Sequence, residues 1–223
     1  YLLGALKHFL ADRRDHAQRL KRGGGVTPDS LDAPAGSDTS SGLQIADPVA
    51  TKRDALFDRV NTGDNTPAFV DVTFREGTGA TVHVMLKGGG SDNASVVEML
   101  PPSAGAPGVL DLIVRQVERK AASACPPLVI GVGVGGTFDT VAKLAKRALL
   151  RPVGAVDPGP VVSAFERRAL EAVNATGIGP AGLGGDTTAL AVHLVTAPCH
   201  IAALPVAVNL GCSAMRSVSV DVG

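Results

Sequence analysis

Eight consecutive residues, Pro127–Val134 (PLVIGVGV), carry no charge and no hydrogen-bonding side chain. Such a run reads as a strand buried within a sheet, and the rest of the chain has to supply its neighbours and its cover. Helical patterns lie on both sides of it. Pro107–Ala124 is a strong one, with Pro107 near its first turn; Thr137–Leu150 follows the strand, and Pro160–Ala175 ends before Gly177. Thr187–Thr196 and Ala203–Leu210 read as further strands. Pro67–Phe74 and Thr81–Lys87 alternate like a hairpin around Glu76-Gly77-Thr78-Gly79, and Asn93–Leu100 reads as the start of a helix. Helices and strands intermix without an internal repeat. The fold class expected is α/β (mixed α+β), one main domain over about Asp47–Gly223.

The first 46 residues differ in kind. Tyr1–Arg22 places Leu2, Leu6, Phe9, Leu10 and Leu20 near helical spacing, and Asp12 and Asp15 among its basic residues argue for a solvated helix face rather than a transit peptide. Gly23–Gly42 has the Gly, Ser, Asp and Pro content of a flexible linker, which cannot offset its own ordering entropy. Two regions are therefore expected, residues 1–46 (helix and linker) and 47–223 (main domain). The first residue is Tyr1 rather than methionine, as in a fragment or a processed product.

Charge and aromatic content narrow the partners. Lys plus Arg and Asp plus Glu both number 21, which removes any global electrostatic case for nucleic acid or an anionic membrane. Six Phe and one Tyr make a poor platform for stacking bases. No apolar run reaches a membrane-spanning length. Three widely spaced cysteines are no disulfide framework and point to a reducing, cytoplasmic setting.

Glycine clusters mark four loops: Asn61–Asn65, Lys87–Ser91, Gly131–Gly136 and Gly182–Gly185. Gly131, Gly133 and Gly136 spell a G-x-G-x-x-G after a strand and before a helix, the setting of a dinucleotide fingerprint, but the acidic residue expected about twenty positions on is missing. Lys87–Ser91 reads in two ways. Its backbone N–H groups are free of Cβ atoms and can converge on an anion, or its glycines serve a tight turn that needs positive φ.

The cysteines are Cys125, Cys199 and Cys212. With no C-x-x-C pair, a structural zinc site is disfavoured. Three readings stay open on the residues alone: a cluster assembled from separate loops, buried small hydrophobes, or a Cys199 nucleophile beside His200. The last suffers because neighbouring residues on a strand point to opposite faces.

NTGDNTPA (Asn61–Ala68), KGGGSDNAS (Lys87–Ser95), CPPLVIGVGVGGT (Cys125–Thr137), IGPAGLGGDTTALAV (Ile178–Val192) and APCHIAALPVAVNLGC (Ala197–Cys212) occur in this order. Together they resemble the α subunit, or N-terminal domain, of the iron–sulfur hydro-lyases, class I fumarase and L-tartrate dehydratase. The resemblance implies a 4Fe–4S cluster with one open iron that acts as a Lewis acid on a small 2-hydroxy dicarboxylate. It also implies Cys125 and Cys212 as cluster ligands, His200 as a catalytic and substrate-binding residue, and Gly89 as a backbone contact to a substrate carboxylate. A β subunit or C-terminal domain would complete the site, in an oligomer. The likeness further replaces the dinucleotide reading of Gly131–Gly136 with a strand and turn following a ligand cysteine.

The sequence departs from that pattern in three places. No cysteine precedes Cys125, where the family has its first ligand in a Cys-Gln-Asp-Thr-Gly run. The substrate-binding Arg near Asp47-Pro48 has no counterpart, and Asp186 stands where the family usually has Lys. The alternative reading is a catalytically impaired homologue that acts as an interaction or structural subunit.

Overall fold

The computed structural model describes residues 70–222. The expectations for Tyr1–Arg22, Gly23–Gly42 and Asn61–Ala68 lie outside them. The chain order is β1 (Ala80–Leu86), α1 (Gly89–Asp92), β2 (Val96–Leu100), α2 (Gly105–Lys120), β3 (Leu128–Val134), α3 (Val141–Ala148), α4 (Pro160–Asn174), β4 (Ala189–Thr196), β5 (Leu204–Gly211) and β6 (Arg216–Val222). Single 3-10 turns precede and follow α2 and precede β4.

β2, β5, β3 and β4 form one sheet in that spatial order. β3 and β4 run parallel, and β5 is antiparallel to both β3 and β2. The charge-free run found in the sequence is β3, an interior strand whose first six residues are all buried. Its side chains alternate between two helical layers, as the two-residue period of a strand requires. Leu128, Ile130 and Val132 enter the main core with Val109, Leu112, Ile113 and Val117 of α2 and Ala169 and Val173 of α4. Val129 faces the other way, packing with Leu149 and Ala191 beside α3.

α3 packs closely because that face of β3 has no side chains in its way. A Cβ on Gly131 would collide with the Ala145 carbonyl, and one on Gly133 with the Val141 carbonyl. These two glycines of the G-x-G-x-x-G are a helix-packing surface.

Two sequence expectations are corrected. β1 forms no hairpin with the segment before it; residues 70–74 carry no strand, and β1 pairs with β6 in a separate two-stranded sheet. Thr81 Oγ1 donates to Asp221 Oδ1 at 2.7 Å and His83 Nδ1 meets Ser219 Oγ at 2.6 Å, so the pairing that wins is long-range. Asn93–Leu100 is not a helix: α1 ends at Asp92, and Val96–Leu100 pairs with Leu204–Val208. The paired β-branched Val96 and Val97 favour the pleated surface. The remaining helices and strands fall within a few residues of the expected spans, and the α/β class holds. No helix among the described residues is long and apolar enough to cross a membrane.

Candidate functional site

The antiparallel register of β3 and β5 puts two cysteines at one edge of the sheet. Val129 lies opposite Gly211, so Cys125 leads into β3 where Cys212 leaves β5. The Ser213 N–H donates to the Cys125 carbonyl at 3.1 Å and ties the two turns together. The parallel register of β3 and β4 brings the loop before β4 to the same edge, with Leu128 N–H donating to Thr188 O at 2.9 Å and Ala181 N–H to Pro126 O at 2.9 Å. Asn174 Oδ1 accepts from Thr188 and Ala189, each at 2.9 Å, and pins the end of that loop. The turn at α1 arrives last: Asn209 Nδ2 donates to Asp92 Oδ1 at 3.3 Å and Leu210 N–H to Ser95 Oγ at 3.3 Å. Four of the motifs picked out in the sequence thus converge on one edge.

Each cysteine there is in an unusual setting. Cys125 is exposed and adopts a left-handed backbone, φ 55 and ψ 67, which is rare and costly without a glycine. Cys212 is half-buried. Burial pushes its thiol pKa up, but the Ala214 amide, the Ser91 hydroxyl and the Met215 amide donate to the sulfur and hold it below the ordinary thiol value. The turn that aims those amides is itself clamped. Arg216 Nη1 donates to Ser213 O at 2.9 Å and to Met215 O at 2.7 Å, and Met215 N–H donates to Cys212 O at 3.0 Å. Donors facing a sulfur stabilise a thiolate, the form that binds metals.

Beside Cys212, Lys87 turns inward, its side chain only 7% exposed. Its ammonium donates to Ser91 Oγ at 3.2 Å and meets Asp92 Oδ1 at 3.1 Å; Lys146 reaches the same carboxylate oxygen at 3.5 Å. Burial lowers the Lys87 pKa against the pull of Asp92. Burial would raise the Asp92 pKa, but the two ammonium groups bring it below the usual carboxylate value.

The glycines of this turn are not there for its backbone. None of Gly88, Gly89 and Gly90 has positive φ, so the tight-turn expectation is corrected. A Cβ on any of them would meet nothing within 4 Å. A side chain at any of the three would project into open space.

His200 and Cys199 are elsewhere. Both are exposed in the loop from β4 to β5, where the Cys199 thiol donates to Ala203 O at 3.2 Å and the Ala202 N–H donates to His200 Nδ1 at 3.2 Å. The eight residues of β5 separate this loop from Cys212, a strand length on the order of 25 Å. The structure therefore brings Cys125, Cys212 and Gly89 to one edge and His200 to the opposite edge. Among the described residues, no group of three or more His, Cys, Asp or Glu is placed to hold a metal ion.

Sequence reasoning missed Lys87, Ser91 and Arg216 as parts of the site. The signal for the first two was their position at the two ends of the glycine run, one before it and one after it. Arg216 was signalled only by following Cys212 within one turn.

Residues 49–221 match the family described as fumarate hydratase (Fumerase). A Methanocaldococcus jannaschii protein provisionally named L(+)-tartrate dehydratase subunit alpha is 40% identical over 160 residues, 71% of this chain and 56% of its own length. The L(+)-tartrate dehydratase subunit alpha of Escherichia coli strain UTI89 is 38% identical over 165 residues, 72% of this chain and 54% of its own. The chain spans about half the length of the curated relatives it matches. As the family match runs through both sulfur-bearing turns and the sheet that joins them, the chain belongs to the fumarate hydratase (Fumerase) family.

Proposed function

We propose that residues 47–223 are the α-type domain of a hydro-lyase that adds or removes water on a small 2-hydroxy dicarboxylate. In this reading Cys125 and Cys212 are two of the ligands of a 4Fe–4S cluster. The observation that carries it is the joining of these two cysteines at one sheet edge by the Ser213–Cys125 hydrogen bond. Soft thiolates select iron–sulfur centres, and the two cysteines offer theirs from turns that a backbone hydrogen bond joins. When bound, the cluster would supply Lewis acidity toward the substrate's hydroxyl and carboxylate oxygens.

The chain's own residues do the rest. Gly88–Gly90 leave room for a dicarboxylate at their turn, with Gly89 offering main-chain rather than side-chain contact. The names of the relatives, each an alpha subunit, support a β-type partner that completes the site, and they support tartrate as a substrate; the family's description supports fumarate. His200 enters by motif position as a substrate-site residue. Because β5 stands between it and Cys212, its role is tested apart from that of the cysteines.

One observation favours the second reading, a homologue impaired in catalysis that serves as an interaction or structural subunit. Cys199 stands at the far edge of the sheet, so the described residues supply two thiolates to a cluster that takes three from this family. Turnover separates the readings. The full chain, reconstituted anaerobically and combined with its β-type partner, is incubated with fumarate, L-malate and L(+)-tartrate. Hydration or dehydration of one of them, abolished by Cys212→Ser, is expected. A loaded chain that turns over none of the three supports the second reading.

A further inference from the structure

We propose that Asn209 is a positioning residue for the glycine turn Gly88–Gly90, which it fixes to β5 through the side chain of Asp92. The inference rests on the hydro-lyase reading only in taking Gly89 of that turn as a substrate contact.

Packing does not explain an asparagine at this position. Asn209 is the one polar residue of β5, an interior strand, and it is 7% exposed. Its cross-strand neighbour on β3 is Gly131, which has no side chain. Ala142 and Ala145 of α3 stand over the same place, and with Ser95, Val97, Ala207 and the asparagine they line a cavity of about 160 Å³. Among the described residues no donor reaches Asn209 Oδ1, although that atom is buried. An aliphatic side chain would fill the cavity and bury no carbonyl lacking a protein donor, so packing alone favours one.

The other end of the amide accounts for it. Asn209 Nδ2 donates to Asp92 Oδ1 at 3.3 Å, and a carboxylate, which only accepts, sets which end of the amide faces it. The same oxygen takes the Lys87 ammonium at 3.1 Å and the Lys146 ammonium at 3.5 Å. Donors from the end of β1, from α3 and from β5 thus meet on one atom of the residue that ends α1. They differ in rigidity. The lysines arrive on flexible four-carbon stems, whereas Asn209 has a short, buried side chain on a strand paired on both sides. The turn needs such a post. α1 has four residues, closed by the Asp92 N–H on Gly88 O at 3.1 Å and the Asn93 N–H on Gly89 O at 2.9 Å, and a single helical turn does not hold itself. The bond from Leu210 N–H to Ser95 Oγ secures only the segment that follows.

The test separates position from stability. Asn209→Leu keeps the branching of the side chain and removes both polar atoms. Its urea midpoint should equal or exceed that of the wild type. Amide exchange of the cluster-free full chain, read by mass spectrometry on peptides covering residues 87–95, should quicken about fivefold, while peptides from β3 and β4 stay unchanged. The reconstituted chain with its β-type partner is then assayed on whichever of fumarate, L-malate and L(+)-tartrate it turns over. KM should rise about fivefold and kcat stay within about twofold, because a main-chain contact to a carboxylate serves ground and transition states alike. Unchanged exchange at residues 87–95 overturns the proposal, as does a lower kcat at unchanged KM. A lowered midpoint with exchange quickened across the whole sheet overturns it too, making Asn209 a residue of the fold alone. If Asn209→Leu does not fold, unchanged exchange in Asp92→Ala overturns it. A wild-type chain that turns over none of the three acids would overturn the hydro-lyase reading and leave the exchange result standing.

Discussion

The backbone N–H of Ser213 donates to the carbonyl of Cys125, and this 3.1 Å bond holds together two turns that are 88 positions apart in the chain. It brings the turn that precedes β3 beside the turn that follows β5. In the Cys199→Ser chain, a short bifunctional thiol reagent is therefore expected to close one intramolecular link, from Cys125 to Cys212. In Cys212→Ser it should close none, because β5 keeps Cys199 away. Intact-mass and peptide mapping read the outcome, and a Cys125–Cys199 link would contradict the topology.

Glycines at the two ends of this account should respond differently to one added methyl group. Gly131→Ala drives a Cβ into the Ala145 carbonyl and should destabilise the fold by about 3 kcal/mol, since α3 cannot withdraw without opening the layer behind β3. Gly89→Ala meets no atom and should shift stability by less than about 0.5 kcal/mol. Urea denaturation measures both. Turnover should nonetheless fall in Gly89→Ala, which fills space the proposed substrate needs.

His193 links stability to pH. It is 2% exposed in β4; burial first, then the Arg151 charge, hold its pKa below the ordinary histidine value, against Glu166 and the Ala148 carbonyl. The unfolded chain then takes up the proton first. This group's contribution is fully present above the unfolded value of about 6.5 and is lost as pH falls from there toward the lowered native value. His193→Gln should flatten that part of the profile. Urea midpoints measured from about pH 7.5 to about pH 5.5 test this, and an unchanged acid slope in the variant would contradict it.

The placement of His200 at the far end of β5 gives a prediction that agrees with its motif position. His200→Asn should leave iron uptake and Cys212 alkylation at wild-type levels, because a full strand separates the residue from the sulfur. Iron loss in this variant would contradict the placement.

How much of this could be read in the sequence follows from the range of the interactions. β3 was legible because an uncharged run has nowhere else to go, and α2 because Val109, Leu112, Ile113 and Val117 repeat at helical spacing. The pairing of β1 was not legible: Thr81 and His83 find Asp221 and Ser219 across the whole described chain, while local alternation pointed to the nearest neighbour. Val96–Leu100 was misread because its local pattern did not reveal the neighbouring strand β5. At the site, the two cysteines were legible through their motifs. That Lys87 would turn inward was not, since its partner Ser91 is defined only once the turn at Gly88–Gly90 is formed. The separation of His200 from Cys212 was hidden for a simpler reason. Twelve residues look close in sequence, but eight of them are extended in β5.

The central claim is that Cys125 and Cys212 hold an iron–sulfur cluster. Iron and acid-labile sulfide, counted per chain after anaerobic reconstitution of the full chain and its three Cys→Ser variants, test it most directly. The account predicts matched iron and sulfide in the wild type and in Cys199→Ser, and loss of both in Cys125→Ser and in Cys212→Ser. A wild-type chain that takes up no cluster, or a cluster that survives in Cys125→Ser or in Cys212→Ser, would contradict it.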